Sequence, residues 1–220
     1  MIMKKRILLV SLTCALILSM FSGCIKVVSL DNKGNTSGSS AVASGDFDAD
    51  AYVKKVWDSQ AVPELKGKAV ELKDLLTEAN GDISKLGDKY GKRAQQEGSS
   101  WNFVVKGTAT VKSVNTESRA GFVEITLDGY TGAEVLKLQV GPVFKGTSTR
   151  DSLDMIKFDD YKNQVAYAAL SNSIHKYLTD NMISKIDLKS LQGKSIDFSA
   201  TFTYQTKDEL LLTPYEITVK

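Results

Sequence analysis

The spacing of apolar residues changes twice along this chain. Ile7 to Phe21 (ILLVSLTCALILSMF) is one apolar run. Between Asp50 and Gln96 the spacing is helical. Leu65, Ala69, Leu72, Leu75, Leu76 and Ala79 recur every three or four residues and form one apolar stripe, which predicts a single helix with Pro63 in its first turn. Tyr52, Val53, Val56 and Trp57 predict a shorter amphipathic helix before it. After Asn80-Gly81, the residues Ile83, Leu86 and Tyr90 predict a third helix, which Gly87 and Gly91 weaken.

From Trp101 onward the period is two. Trp101, Phe103, Val105, Gly107, Ala109 and Val111 alternate with polar residues over a long half-buried strand. Val123, Ile125 and Leu127 mark a second strand. Leu136, Leu138 and Val140 mark a third, which stops at Gly141-Pro142. A long helix is predicted from Phe158 to Met182. Two strands close the chain, one through Ile196, Phe198, Ala200, Phe202 and Tyr204, the other through Leu211, Thr213, Tyr215, Ile217 and Val219. A hairpin turn at Gln205 to Asp208 joins them.

The order β-β-β-α-β-β predicts an α+β fold: short N-terminal helices followed by an OB-like five-stranded β-barrel with one long helix between strands three and four. Gly107, in the middle of the long first strand, is the expected bend. The same elements also allow an open antiparallel sheet with helices on one face.

The apolar run near the start is an address. Lys4, Lys5 and Arg6 precede it, and it is shorter than the roughly 20 residues a membrane span needs. It ends in Phe21-Ser22-Gly23-Cys24, two small residues and a cysteine, the pattern of a bacterial lipobox with Phe21 where Leu is usual. Residues 1–23 are therefore predicted to be a lipoprotein signal peptide and Cys24 the acylated residue. Two or three acyl chains, at about 0.8 kcal/mol per buried methylene, hold a protein on a membrane almost permanently. Cys14 lies inside the removed segment, so the mature chain is left with Cys24 alone and no internal disulfide.

Residues 24–47 include Asp31 to Asp46 (DNKGNTSGSSAVASGD), rich in Gly, Ser, Asn and Asp, and are predicted to be a flexible tether. Residues 48–98 then form the helical N-terminal part of the folded domain and 99–220 the OB-like part. Removing Lys4, Lys5 and Arg6 lowers the 28 basic residues to 25 against 26 acidic ones, a net charge of −1. Nucleic-acid binding needs concentrated positive charge, so it is not expected here.

Candidate chemistry is sparse. His175 is the only histidine, with no cysteine or tight carboxylate cluster to join it, so no metal or cofactor is expected. There is no Gly-x-Ser-x-Gly elbow and no phosphate-cradling spacing. Asp159-Asp160 are adjacent, and adjacent helical side chains diverge. The most polar stretch inside the fold runs from Gly141 to Asn163 and on into Gln164. Thr147, Arg150, Asp151, Asn163 and Gln164 are the candidate ligand or partner site, because Arg supplies a fork of donors and the others supply acceptors and amides. The alternative is a clamp in which the same groups tie down a loop at the barrel end.

One set of motifs spans nearly the whole mature chain outside the tether. It comprises the lipobox, Tyr52 to Trp57, Tyr90-Gly91, Trp101-Asn102-Phe103, Lys106-Gly107, Gly141-Pro142, Gly146-Thr147, Arg150-Asp151, Phe158, Asn163-Gln164, Tyr167-Ala168 and Thr213-Pro214. Together these resemble a family of predicted bacterial periplasmic lipoproteins of unknown function. Such families tend to lie beside genes of sugar-type ABC uptake systems. The resemblance thus implies an accessory role in the cell envelope, with membrane lipid and a sugar ABC transporter component as partners, and it assigns no catalytic residue. Two functions are expected from this reading. The first is a non-enzymatic, membrane-anchored binding or accessory module. The second is an envelope hydrolase or transferase that draws on Arg150, Asp151, Asp159 and Asn163.

Overall fold

The structure, a computed structural model, describes residues 47–93 and 99–220. The expected signal peptide, Cys24 and the expected tether up to Asp46 lie outside the described residues. The rest of the chain from Phe47 belongs to one compact unit.

Helix α1 (Ala49–Val56) starts at Asp48, whose side chain accepts from the Ala51 N–H at 2.9 Å, a standard N-cap bond. The chain continues through a π-helical turn, Trp57–Ala61, into α2 (Val62–Lys68) with Pro63 in its first turn. Val53, Trp57, Ala61 and Leu65 are all buried in one cluster. A run of steps of four drifts around an α-helix of 3.6 residues per turn, and the wider π turn takes up that drift.

The single stripe from Leu65 to Ala79 divides into two helices. At Ala69 the backbone becomes extended, and Val70–Glu71 (β1) pairs in parallel with Val105 and Lys106. Helix α3 (Leu72–Ala79) follows and ends at left-handed Asn80, with φ of 43°. Leu65 packs in an outer apolar cluster, whereas Leu72, Leu75, Leu76 and Ala79 pack in the cluster inside the sheet. One straight helix cannot reach both, so the chain breaks between them. The third expected helix is a 3-10 turn (Ile83–Leu86) followed by α4 (Gly87–Tyr90), and it runs into a short strand, β2 (Gly91–Arg93). The part expected to be wholly helical therefore also contributes two strands.

The remaining strands are β3 (Trp101–Asn115), β4 (Phe122–Leu127), β5 (Val135–Gln139), β6 (Ser195–Thr203) and β7 (Glu209–Val219). Their ladders run β3–β4–β5–β7–β6 and return to β3. The β5–β7 pair is parallel and the other four are antiparallel. This is the five-strand order of an OB-type fold. As expected, β3 pairs with β4 and also with a strand from the C-terminal half.

Inside the ring lie Phe103, Val105, Ala109, Val111, Ile196, Phe198, Ala200 and Phe202, with Phe103 and Phe202 stacked at 5.3 Å. The irregularity in β3 falls between Val111 and Ser113, not at the expected Gly107. Gly107 sits opposite Phe198, and a Cβ there would lie 3.4 Å from its ring. Its absence makes room for the aromatic side chain.

Between β5 and β6 come a five-residue helix, α5 (Ser148–Ser152), a 3-10 turn (Phe158–Asp160) and the long helix α6 (Gln164–Asn181). The long helix starts later than the expected Phe158 because Asn163 caps it, accepting from the Ala166 N–H at 2.9 Å. Leu170, Ile174 and Leu178 of α6 join Trp57, Leu65, Val104 and Tyr215 in the outer cluster, which fixes the helices to the outside of the sheet.

Gly87 shows how tightly the N-terminal part seats on β3. A Cβ at Gly87 would fall 2.1 Å from the Trp101 ring, which is itself covered by Arg93 at 4.1 Å. Gly87→Ala should therefore displace the indole and cost about 1–3 kcal/mol as overpacking. Thermal unfolding with Trp emission as the readout checks this, with a lower melting temperature and a red-shifted native spectrum expected.

Candidate functional site

The passage from β5 to α6 is built on buried polar residues. Gln139 is its first fixed point. Its Nε2 donates to the Lys145 carbonyl at 3.1 Å and to Thr213 Oγ1 at 2.9 Å, while its Oε1 accepts from the Lys145 N–H at 2.6 Å. Beneath α5, the hydroxyls of Ser148 and Thr149 lie 2.9 and 2.8 Å from that of Thr201. Every residue of α5 is buried, although none is apolar. Burial on this scale requires that the polar groups find partners.

Arg150 and Asp151 are the charged members of this layer, 8% and 9% exposed. The Arg150 Nε donates to Asp151 Oδ1 at 2.8 Å, Nη2 lies 2.7 Å from the same oxygen, and Nη1 donates to the Tyr167 carbonyl at 3.2 Å. Thr147 Oγ1 donates to Asp151 Oδ2 at 2.5 Å, and the Tyr167 hydroxyl donates to Oδ1 at 3.3 Å. The guanidinium carbon also lies over the face of the Tyr167 ring, 3.8 Å from its centre. Burial raises the Tyr167 phenol above its ordinary pKa, a rise the Arg150 charge partly opposes.

Of the residues expected to converge, Thr147, Arg150 and Asp151 do. Asn163 and Gln164 do not: both are exposed at the start of α6, and Asn163 spends its side-chain oxygen on the helix cap. Tyr167, one turn further along α6, completes the cluster, and His175 lies near enough to feel the Arg150 charge. The His175 ring stacks on Phe144 at 5.1 Å, and burial, with repulsion from Arg150, pushes its pKa from 6.5 down to about 4. Asp159 is exposed in its 3-10 turn. With every Arg150 nitrogen engaged, this arrangement is a clamp joining α5 to α6.

Open surface lies elsewhere, on the outer face of β3, β6 and β7 where the helices leave it bare. A groove of about 590 Å³ runs there. Its floor carries Lys106 and Thr108 from β3, Asp197 and Ser199 from β6, and Glu216 and Thr218 from β7. A bulge shapes it. The register of β6 with β7 shifts between Ser199–Glu216 and Ala200–Pro214, leaving Tyr215 as the extra residue. Bulges re-aim side chains, and here Tyr215 turns into the outer cluster, its phenol raised to about 12 by burial.

Charge in the groove is paired throughout. Thr108 Oγ1 donates to Asp197 at 2.5 Å, and Lys220 lies 2.8 Å from the same carboxylate, which these partners hold below its ordinary pKa. Lys66 meets Glu216 at 2.7 Å and Lys106 meets Glu71 at 3.5 Å across the rim. A smaller hollow of about 330 Å³ contains Lys68 and Lys92. Both lysines are committed to Asp154, at 2.8 and 2.9 Å, and to the carbonyls of Ser152 and Leu153. Apart from Lys106-Gly107, the groove residues belong to none of the motifs noted in the sequence. The other floor residues show there as the polar half of the strand alternation, and strand register brings them side by side.

Comparison with known proteins bears on both the fold and the family. A family model described as "Predicted periplasmic lipoprotein (DUF2291)" matches residues 14–218. Among proteins of curated function, none matches. Among solved structures, the chain is similar to an OB-fold protein from Thermotoga maritima, with a TM-score of 0.62 and 16% identity, over 80% of this chain and 99% of that one. At that identity the likeness concerns the fold.

Two expected outcomes test the clamp. Arg150→Ala leaves the Asp151 carboxylate buried without its cation, which should cost about 3 kcal/mol or more. Thermal unfolding should show a clear fall in melting temperature, and replacing both residues with apolar ones should recover much of it. The second outcome concerns pH. Because the folded-state pKa of His175 lies below its ordinary value, the unfolded chain takes up the proton more readily. Stability should therefore fall as pH drops from about 6.5 towards 4, by about 3 kcal/mol across the window. Denaturant midpoints measured between pH 7.5 and 5, above the ordinary carboxylate range, should decline in the parent and stay flatter in His175→Gln.

Proposed function

Because the chain belongs to the family of predicted periplasmic lipoproteins, and is an extracytoplasmic, lipid-anchored protein of OB-type fold, we propose that it is a non-enzymatic binding module held on the membrane through Cys24. In this reading it serves a carbohydrate ABC-type uptake system, and its outer groove takes a neutral, polyhydroxylated ligand. The observation that carries the reading is the makeup of the groove. Carboxylates, ammonium groups and hydroxyls alternate along it, and the charges pair off at 2.7 to 3.5 Å. Such a surface has donors and acceptors in near-equal supply and little net charge. It suits a ligand that both donates and accepts hydrogen bonds, as a sugar does. A charged ligand would have to displace one partner of each pair.

The test is a panel of neutral sugars added to the purified protein, read as the shift in melting temperature. A ligand at about 100 times its Kd stabilises the native state by about 2.7 kcal/mol. At least one sugar should raise the melting temperature in a saturable way, and Asp197→Ala, on the groove floor, should abolish the shift. If no member of the panel shifts the parent, or if the shift survives Asp197→Ala, the groove is not the binding site.

A further inference from the structure

Five aromatic rings gather around Tyr161 and Tyr167. The Phe47 ring lies 5.7 Å from Tyr52 on α1 and meets Tyr161 edge-on at 5.2 Å. Tyr161 is 5.9 Å from Tyr167, which Phe158 meets edge-on at 5.2 Å. The cluster is graded. Its inner end is Tyr167 over the buried Arg150, and its outer end is Phe47, 40% exposed. Between them Tyr161 has its phenol raised by burial and by the neighbouring Tyr52 hydroxyl. Rings with one wet and one apolar side are the side chains that settle at a membrane–water boundary.

Phe47 also lies only 23 residues after Cys24 in the chain. Residues 24–46 reach about 80 Å at full extension. The lipid surface that holds the anchor is thus always within range, and even a weak affinity for it is multiplied by confinement. We propose that Phe47, Tyr52 and Tyr161 form a docking patch that seats the body on that lipid surface. The charges beside the patch balance. Lys157 and Lys162 flank Asp159 and Asp160, and all four are exposed. Docking therefore depends on the rings and is indifferent to anionic headgroups. The proposal rests on the lipid anchor and is independent of what the groove binds.

The experiment uses the acylated full-length chain carrying Phe47→Trp, in phosphatidylcholine vesicles. Emission of the parent, which contains Trp57 and Trp101, is subtracted. The reporter should be blue-shifted and quenched by brominated lipid, with no change at high salt or when phosphatidylglycerol is added. Phe47 is exposed, so the variant should melt with the parent. A reporter with the emission of an indole in water, unquenched by brominated lipid, overturns the proposal. So does quenching that appears only with anionic lipid, since charge would then be the cause. A reporter shielded by a second copy of the chain, detected as cross-linked dimers that Phe47→Ser abolishes, would assign the patch to self-association instead.

Discussion

A fifteen-residue strand buried in the middle of a fold has two rows of backbone donors and acceptors to satisfy, and β3 (Trp101–Asn115) imposes that requirement on everything around it. Along one edge, β6 covers residues 102 to 110. Along the other, three elements follow in turn: β2 on 101 to 103, β1 on 105 and 106, and β4 from 109 to 115. The small strands β1 and β2 fill the stretch of edge that β4 does not reach. This is why the N-terminal helices are interrupted and why that part of the chain is continuous with the sheet. Seating Trp101 against Gly87 follows from the same need, because β2 can pair with the start of β3 only if α4 lies close beside it.

The second organising feature is the separation of two apolar clusters by a polar layer. The interior of the strand ring holds one cluster, and the helices enclose the other against the outer faces of β3 and β7. Between helix and sheet run Gln139, Thr201, Thr213, Ser148 and Thr149, and beside them the Arg150–Asp151 pair under Tyr167. Apolar contacts alone are tolerant of sliding. A layer in which these hydroxyls and the Gln139 amide have specified partners, with Ser152 Oγ the buried exception in α5, permits one register of α5 and α6 on the sheet. The arginine that looks like a ligand-binding group in one dimension is thus used to hold an otherwise polar five-residue helix inside the protein.

In the proposed reading, function falls to the surfaces this packing leaves uncovered. The helices protect one part of the outer face of β3, β6 and β7, and the rest remains as the polar groove. The aromatic cluster is the other such surface, graded from buried Tyr167 to exposed Phe47. A groove with balanced charge and an aromatic patch with balanced charge have a common physical character: both favour partners selected by shape and hydrogen bonding over those selected by net charge. That character agrees with a chain whose formal net charge is only +2.

Local information in the sequence determined a good deal by itself. The lipobox and the motifs spread along the chain are local signals, and the family and envelope location read from them stand. Alternation at period two located all five long strands, although in the last it marked Leu211, Thr213 and Tyr215 where Leu210 and Leu212 face the interior, and their order with one long helix indicated the OB-type arrangement. The clustering of Thr147, Arg150 and Asp151 was legible because they are close in sequence. Other features depended on register and on long-range pairing, which periodicity does not encode. The stripe from Leu65 to Ala79 has helical spacing throughout, yet it serves two clusters and is cut by a strand that forms only because β3 has a free edge. Asn163 and Gln164 stand beside Arg150 in the motif, but the helix phase turns them to solvent and brings in Tyr167 and His175. The groove joins residues as far apart as Lys66, Lys106, Asp197 and Glu216, and only the tertiary structure decided that they share a surface, because strand pairing sets which outward-facing positions become neighbours.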